Sequence, residues 1–477
     1  MRRPLAALAL AAAALGQAGC LVGPTYRTPA PPSGAAAPFV SLSPAVQGAA
    51  APRDDWWRLY DDPRLDGYVR EAFAANDDLA VAEANLSAAR ALLEQARAGQ
   101  YPATELLAGA TRGRDPTTNE ILELTGRKPQ TLWLFDSIFD MSYELDLFGR
   151  VRREVEAAHA DADAVAAARD GVKITVAAET ARAYAQVCAL GEQLAVARRN
   201  LDVVGREAEI ATNRRKAGAG SEFEEVRAQT VVAQVRSAIP PLEGQRRAAL
   251  FELAALLGRT PAHAPEEAAA CVAPPALPAV LPVGDGAALI RRRPDVRQAE
   301  RRLAGATARV GVAMADLYPR ITLTGFYGGA AAAIPDLATN AGLAWGVGPA
   351  MRWAFPNQSL PRARLRQARA GARAALAGFD GAVLMALKET EQALTAYGAE
   401  LQHDADLKDA QGKATRTYEL AHGQFLAGAA TQLDLLTAEQ SLVAADAAVA
   451  ASDGALAQDQ IAVFKALGGG WGRPTSP

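Results

Sequence analysis

The chain has 477 residues, a formal net charge of −3 and four histidines. A nearly neutral chain gives no electrostatic reason to expect a nucleic-acid partner. The four histidines, His159, His263, His403 and His422, show no ligand spacing, so neither a metal site nor a cofactor is predicted. Its acidic pairs lack a convergent nucleophile or base, so we do not expect an enzyme.

The first residues have the features of a secretory signal. Residues 2 and 3 are arginines, and the apolar run 5–15 is too short to span a membrane. The residues Gln17-Ala18-Gly19-Cys20 that follow resemble a bacterial lipobox, with glutamine in place of the usual leucine. We therefore expect 1-19 to be a cleaved signal peptide and Cys20 to carry diacylglycerol and an acyl chain such as palmitate. The alternative is a signal-peptide cysteine without a role.

The two remaining cysteines are far apart in the sequence. Export would permit them to pair, but Cys188 lies within a predicted helix and Cys271 in a proline-rich segment. We therefore expect two buried free thiols.

The chain is a tandem duplication. The segments "DLAVAEANLSAARALLEQARAGQYP" and "DVRQAERRLAGATARVGVAMADLYP" align without a gap, and later regions align at a slightly shorter offset. The matched positions include Asp78 with Asp295, Leu86 with Leu303, Glu179-Thr180 with Glu389-Thr390, Ala217-Gly218-Ala219 with Ala427-Gly428-Ala429, and Leu257-Gly258 with Leu467-Gly468.

Each half predicts a helix, two strands, a very long helix, a tight turn and another long helix. The first half predicts helices at Ala72 to Gly99, Val151 to Lys216 and Glu222 to Leu257, and the second at Val296 to Leu317, Arg362 to Leu426 and Gln432 to Leu467. Heptad-spaced apolar stripes along the long helices indicate coiled-coil packing. The expected organisation is a signal peptide 1-19, a lipidated extended segment 20-65, a first repeat 66-260, a linker 261-282, a second repeat 283-468 and a tail 469-477.

The strand segments alternate between an apolar and a polar face. In the first half Phe139, Met141, Tyr143, Leu145 and Leu147 alternate with Asp140, Ser142, Glu144 and Asp146. Such alternation favours a membrane barrel with a wet lumen, although a soluble sandwich would also alternate. Four strands cannot close a barrel, and open edges in lipid are costly, so several protomers are expected to share one barrel.

Several motifs together resemble the TolC-like outer-membrane efflux proteins, in particular the lipidated, RND-pump-associated NodT/OprM-like branch. They are "GPTY" after Cys20, "DWWRLYDDPRLDGYV", "YELDLFGRVRR", "RRRPDVRQAE", "GAATQLDLLTAEQSL" and "ALGGGW". The resemblance implies a mainly α fold with a membrane β-barrel: a homotrimer whose 12-stranded barrel continues into a long α-helical barrel. Pro240-Pro241 is then interpreted as a bend within a long helix.

The resemblance also implies the function and the partners. The chain would be the outer-membrane exit duct of a tripartite efflux pump, working with a periplasmic adaptor (membrane fusion protein) and an inner-membrane RND pump. Small toxic compounds would leave by passive diffusion, and Cys20 would anchor the duct in outer-membrane lipid. Two alternatives remain: a type I protein-secretion duct of the same fold, and a non-porous lipid-anchored periplasmic coiled-coil scaffold.

The resemblance places a gate at the two helix-helix turns. Asp434 falls where the family has a ring of aspartates at the periplasmic entrance, and the duplication gives Glu224 the equivalent position in the first half. Ala430 lies where a bulky apolar gate residue is common, and Thr437 where a second aspartate is common. The alternative is that an acid near a helix start only complements the helix dipole. The adaptor is expected to dock on the tips formed by Gly218, Ala219, Ser221, Gly428, Ala429 and Thr431.

Overall fold

A computed structural model describes residues 21–41, 46–47, 54–114, 120, 122–126, 128, 131–277, 281–340 and 342–468. The predicted signal peptide 1-19, the lipidation site Cys20 and the tail 469-477 lie outside the described residues. The chain divides into two compact units. Unit 1 contains the N-terminal residues up to Pro29, Leu86–Val165 and Ala299–Phe379; unit 2 contains Ala30–Asn85, Ala166–Gln298 and the residues from Asp380 onward.

Helices dominate both halves of the chain. They are α1 (Pro63–Ala75), α2 (Asp77–Ala98), α3 (Arg150–Lys216), α4 (Glu222–Ser237), α5 (Ile239–Leu256), α6 (Gly286–Arg292), α7 (Pro294–Ala315), α8 (Ser359–Leu426) and α9 (Gln432–Ala466). The strands are β1 (Val46–Gln47), β2 (Ala103–Gly113), β3 (Leu132–Leu145), β4 (Leu281–Pro282), β5 (Arg320–Ala331) and β6 (Leu343–Arg352). With 67 and 68 residues, α3 and α8 are each about 100 Å long.

Unit 1 contains one antiparallel sheet in the order β2-β3-β5-β6. Tyr143 lies opposite Leu323, and Ile321 lies opposite Met351, so apolar side chains share one face across the strands. The other face is polar: Glu144 lies opposite Thr322. Because side chains alternate along a strand, the predicted separation of an apolar and a polar face holds across three strands.

Ion pairs occupy the polar face where the strands end. Glu144 accepts two hydrogen bonds of 2.7 Å from Arg150, in the first turn of α3. Arg320, in the first position of β5, lies 3.9 Å from Glu144 and donates to Asp316 at 3.1 Å. Arg352, which lies opposite Arg320 in the register, belongs to the same face.

Aromatic pairs mark the same end of the sheet. The Phe148 ring stacks on Tyr318 with 4.5 Å between ring centroids, and the Trp353 ring stacks on Phe355 at 4.6 Å. The Trp353 indole N–H donates to the Leu317 carbonyl at 3.1 Å, so this amphipathic ring has its polar atom satisfied.

The N-terminal segment, which we define as residues 21–28, packs along unit 1 beside this strand end. The Val22 N–H donates to the Phe148 carbonyl at 3.3 Å. Gly149 has φ +79°, and a Cβ there would collide with the Leu21 side chain, so glycine is required for this approach. Further along, the Tyr26 hydroxyl donates to Glu300 at 2.9 Å.

Unit 2 has an aromatic core built from the "DWWRLYDDPRLDGYV" motif. The Trp56 side chain is 1% exposed and its ring stacks on Phe464 at 4.9 Å. Asp62 caps α1 by accepting the Arg64 N–H at 2.8 Å, and its other oxygen accepts the Tyr184 hydroxyl at 2.9 Å. The motif therefore both begins a helix and joins that helix to α3.

The duplication is visible in equivalent contacts. Thr180 and Thr390 are both fully buried, and each hydroxyl donates to a carbonyl one turn earlier in its own helix, at 2.7 and 2.9 Å. Gly258 and Gly468 end their helices with φ +68° and +75°. Such left-handed glycines are common helix terminators, so the matched sequence positions have matched conformations.

Two predicted helices are interrupted. The helix predicted from Ala72 to Gly99 breaks at Asn76, whose side-chain oxygen accepts the Leu79 N–H at 3.2 Å and so begins α2. The helix predicted from Glu222 to Leu257 breaks at Ala238. There Pro240-Pro241 lies in the first turn of α5, where a missing backbone donor is tolerated, and Ala238 between the two helices keeps helical φ and ψ of −74° and −22°, so the interpretation of the prolines as a bend is not contradicted.

The prediction of two free thiols is wrong, because Cys188 and Cys271 form a disulfide with 4.8 Å between their Cα atoms. Gly191 permits this contact, since a Cβ there would collide with the Cys271 carbonyl. Arg246 donates to the same carbonyl at 2.8 Å. The linker segment is thus fastened to α3 by the disulfide and to α5 by a charged hydrogen bond.

Loss of this disulfide should destabilise unit 2. The bond closes a loop with a sequence separation of 83, for which the loop-entropy relation gives about 4.5 kcal/mol. We expect dithiothreitol to lower the melting temperature of the detergent-solubilised protein by several degrees. The Cys271→Ser variant should melt at the lower temperature with or without the reductant. A reductant effect of equal size in that variant would contradict the assignment.

Candidate functional site

The two helix-helix turns of unit 2 have the same backbone geometry. After α3, the Gly218 N–H donates to the Arg215 carbonyl at 3.0 Å and the Ala219 N–H donates to Arg214 at 2.9 Å. After α8, Gly428 and Ala429 repeat this pattern, at 3.0 and 2.8 Å. Both glycines have φ +73°, which side chains with a Cβ rarely adopt.

A capping box follows each turn. The Ser221 hydroxyl accepts the Glu224 N–H at 3.2 Å, and the Glu224 carboxylate accepts the Ser221 N–H at 2.9 Å. Thr431 and Asp434 form the equivalent pair at 3.2 and 3.0 Å. These reciprocal bonds satisfy donors that would otherwise lack partners at a helix start. The predicted gate acids are therefore also the caps of α4 and α9.

Asp434 retains an accessible negative charge in addition to its capping role. Its Oδ2 accepts both the Thr431 hydroxyl, at 2.6 Å, and the Thr431 backbone N–H. The hydroxyl bond first and the backbone bond second hold the pKa of Asp434 below its usual range. The side chain is fully exposed, and Oδ1 has no hydrogen-bond partner within the described chain. Asp434 can therefore act as a cap and present charge to solvent.

The other predicted residues of the turns have plainer surroundings. The Thr437 side chain is exposed, but its hydroxyl donates to the Leu433 carbonyl at 2.7 Å. Ala430 is half-buried. The predicted tip residues are exposed: Gly218, Ala219, Ser221, Gly428, Ala429 and Thr431. Small exposed residues permit another protein to approach the backbone closely.

Side chains join the two turns to each other. The Arg214 guanidinium, at the end of α3, lies 5.1 Å from the centre of the Phe425 ring, at the end of α8. Below this contact, a small apolar cluster joins three helices through Ala208 and Ala211 of α3, Ala228 of α4 and Leu436 of α9. The alanines bring the helix backbones close together, so movement of one turn has to displace the other.

Two buried acids near the turns, Glu207 and Glu439, were not predicted from the sequence. Glu439 of α9 is 0% exposed, and neither of its carboxylate oxygens has a hydrogen-bond partner in the described part of the chain. Burial first, and the charge of Glu207 second, raise the pKa of Glu439 to about 7. Burial also raises the pKa of Glu207, although His422 lies 3.8 Å away and opposes the rise. The available signal was that Glu439 lies one turn beyond Leu436 on the buried side of α9.

Comparison with known proteins shows which protein family has these features. The outer membrane efflux protein profile matches residues 68–259 and 287–469, one match in each half of the chain. The chain belongs to the outer membrane efflux protein family. Its predicted fold, a tandem-duplicated TolC-like outer-membrane channel, and its predicted class, an outer-membrane efflux channel, are confirmed.

Relatives within this family match over almost their full lengths. The chain is 32% identical to the pyoverdine export outer membrane protein OpmQ of Pseudomonas putida, over 93% of this chain and 94% of that protein. It is 31% identical to the outer membrane protein OprJ of Pseudomonas aeruginosa, over 99% and 97%. The solved outer-membrane channel OprN superimposes with a TM-score of 0.86 at 34% identity, covering 95% of this chain and 100% of that one.

The buried acid gives the channel a pH-dependent stability. A carboxyl that holds its proton up to about pH 7 when folded, against a reference pKa of 4.5, stabilises the fold fully below pH 4.5. That stabilisation is lost as the pH rises to 7, at a cost of up to about 3 kcal/mol. We expect wild type to melt at a lower temperature at pH 8 than at pH 5.

The Glu439→Gln variant should show a smaller difference between the two pH values, because the amide cannot ionise. Glu207→Gln should also reduce the difference, because removing the facing charge lowers the pKa of Glu439. Differential scanning fluorimetry of the solubilised protein measures both effects. Identical pH profiles for wild type and Glu439→Gln would show that Glu439 is not the titrating group.

Proposed function

We propose that three copies of this chain form one exit duct of a tripartite efflux pump, with a 12-stranded barrel in the outer membrane. The observation that carries the proposal is the sheet of unit 1, which has an apolar face, a charged face and two open edges, β2 and β6. In lipid such edges need partners, and pairing β6 of one copy with β2 of the next supplies them. The charged face then lines a wet lumen.

The helices would continue this duct into the periplasm. We propose that α3, α8 and their shorter neighbours form a 12-helix barrel, and that a periplasmic adaptor (membrane fusion protein) and an RND pump meet the exposed tips. OpmQ is named for the export of pyoverdine, and we extend from it only the substrate class, small molecules that leave by diffusion. The duct itself needs no cofactor for this transport.

The gate is proposed to lie at the tips. Three copies of Asp434 around the trimer axis would place three ionised, accessible carboxylates in a narrow opening and favour cations. Glu224 would add a second charge per copy near the same level. Ala430 and Thr437 would line the opening without blocking it, because one side chain is small and the other is bonded to its own helix.

The duct is also proposed to be lipid-anchored through Cys20. Support comes from the N-terminal segment, since Leu21 and Val22 lie beside Gly149 and Phe148, immediately after β3. A lipid on the preceding residue would therefore start at the level of the strand ends, where the membrane surface is expected. The many hydrogen-bonded contacts of residues 22–28 would hold the anchor there.

Single-channel conductance tests the duct and its gate. Wild-type protein, purified in detergent and inserted in planar bilayers, should give small cation-selective steps. Asp434→Asn should lose most of the cation preference without larger steps, since the asparagine amide oxygen can still accept the Thr431 N–H in the capping box but carries no charge. Asp434→Ala should lose the preference and give larger, noisier steps, because the cap is lost as well.

Thr431→Ser is the matched control for this experiment, because it keeps both the cap and the charge, and it should behave as wild type. Unchanged selectivity in Asp434→Asn would remove Asp434 from the gate and leave the duct. Absence of conductance from folded trimers would favour the non-porous scaffold.

Lipidation can be tested directly. Cells labelled with a palmitate analogue should incorporate it into wild type and not into Cys20→Ser, in which the disulfide cysteines are unchanged. Mass spectrometry of the N-terminal peptide should find the acyl chains on Cys20. Labelling that persists in the variant would exclude Cys20 as the anchor.

A further inference from the structure

The start of α8 carries an unusual run of charge. Between Ser359 and Phe379 there are five arginines and no acidic residue. All five are exposed, and none has an ion pair or a side-chain hydrogen bond with the described residues. Arg362, in the first turn, also opposes the helix dipole, so the dipole does not explain its charge. They are Arg362, Arg364, Arg366, Arg369 and Arg373.

Four of these arginines share one side of the helix. Steps of four, three and four residues place them in a line, which we call the arginine stripe: Arg362, Arg366, Arg369 and Arg373. Arg369 and Arg373 line a groove together with Pro24 of the N-terminal segment. The stripe therefore faces the same side of unit 1 as the segment that follows Cys20.

Arg364 lies on the opposite side of α8. Two residues along a helix correspond to a rotation of about 200°, so Arg364 points away from the stripe. It lines a separate groove with Glu154 and Asp316. Those acids connect through Arg150 and Arg320 to the polar face of the sheet. The stripe is thus on the outside of the proposed barrel wall, and Arg364 is on the lumen side.

The first half of the chain has no such stripe. The first turn of α3 is also basic, but each of its arginines has an acidic partner: Arg150 pairs with Glu144, Arg152 with Asp146 and Arg153 with Glu156. Aligned from the matched pair Thr180 and Thr390, the positions equivalent to Arg366 and Arg373 hold Glu156 and Asp163. Of these two matched helix starts, only that of α8 carries arginines without an acidic partner among the described residues.

The stripe begins where the membrane is expected to end. β6 ends at Arg352, and the stacked Trp353 and Phe355 follow it. Tryptophan and other aromatic rings collect at the level of lipid headgroups. Along α8, Arg366 is about 6 Å and Arg373 about 16 Å beyond Arg362. The headgroup layer extends about 5–8 Å beyond the hydrocarbon, so it can reach the first two arginines and not the last.

We propose that the arginine stripe binds the phosphates of anionic phospholipid headgroups in the periplasmic leaflet of the outer membrane, through direct contacts of Arg362 and Arg366. Arg369 and Arg373 lie farther from the membrane, toward the periplasm. They contribute a weaker electrostatic attraction, which falls off within a Debye length of about 8 Å. The stripe would fix the depth and rotation of the trimer in the leaflet, beside the lipid on Cys20. This proposal rests on the membrane-spanning trimer proposed above.

The test measures equilibrium binding of a fluorescent phosphatidylglycerol to the detergent-solubilised full-length trimer by fluorescence anisotropy. Phosphatidylcholine with the same fluorescent label is the control lipid. Each basic residue near an anionic surface contributes about fivefold in affinity. The double variant Arg362→Gln/Arg366→Gln should therefore weaken phosphatidylglycerol binding by about 30-fold. Arg369→Gln/Arg373→Gln should weaken it only a few-fold, and Arg364→Gln, on the opposite side, should have no effect.

Several results would overturn the proposal. One is equal binding of the two lipids by wild type, and another is an equal loss of phosphatidylglycerol binding in the two double variants. A third is loss of the trimer on size-exclusion chromatography in Arg362→Gln/Arg366→Gln, which would assign the stripe to contacts with the neighbouring copy. Retained binding in a lysine double variant, Arg362→Lys/Arg366→Lys, would support it. Wild type that conducts in bilayers yet shows no lipid preference would reject the stripe alone, whereas protein that forms no channel would reject the duct.

Discussion

The structure depends above all on the rule that backbone groups cannot remain unpaired in lipid, where each costs several kcal/mol. The sheet of unit 1 has four strands and two open edges, so one chain cannot satisfy the rule alone. The proposed sharing of a barrel among copies would solve this problem and fix which face is wet. The ion pairs around Glu144, the aromatic pairs at the strand ends and the docked N-terminal segment would suit a membrane boundary at that end of the sheet.

The need to pair polar backbone groups also governs the helix turns. A helix start has donors without intrahelical partners, and Glu224 and Asp434 supply acceptors through their capping boxes. The acid at each turn therefore stabilises the start of its helix whether or not it gates a pore. Glu439 is the exception, because its carboxyl is buried with no hydrogen-bond partner among the residues that the structure describes. The equivalent position in the first half is the exposed Gln229, so this cost arose in one copy of the duplication only.

Divergence between the two halves is where function is expected. Both halves keep the glycine turns, the capping boxes and the buried threonines, because these determine the fold. They differ in charge: the arginines in the first turn of α3 are paired, whereas those at the start of α8 have no acidic partner among the described residues. In the proposed trimer, the duplicated chain would give approximate sixfold symmetry in the fold, and differences such as these would reduce it to threefold symmetry in the chemistry.

The sequence by itself determined the duplication, the long helices, the alternating strands and the turn glycines, because periodicity and glycine conformation are local properties written along the chain. It also predicted Asp434 as a gate residue, which stays a prediction, but not that Thr431 bonds to it. Only the tertiary structure decided the Cys188–Cys271 disulfide, the helix breaks at Asn76 and Ala238, and the burial of Glu439. Disulfide pairing and burial depend on segments that are distant in sequence. The spacing of residue types along one helix cannot show which neighbouring segment covers that helix. At Asn76 a capping side chain, and after Ala238 a pair of prolines, favour a helix end within a segment whose periodicity predicts one continuous helix. The packing of the helix ends decides whether the helix is interrupted.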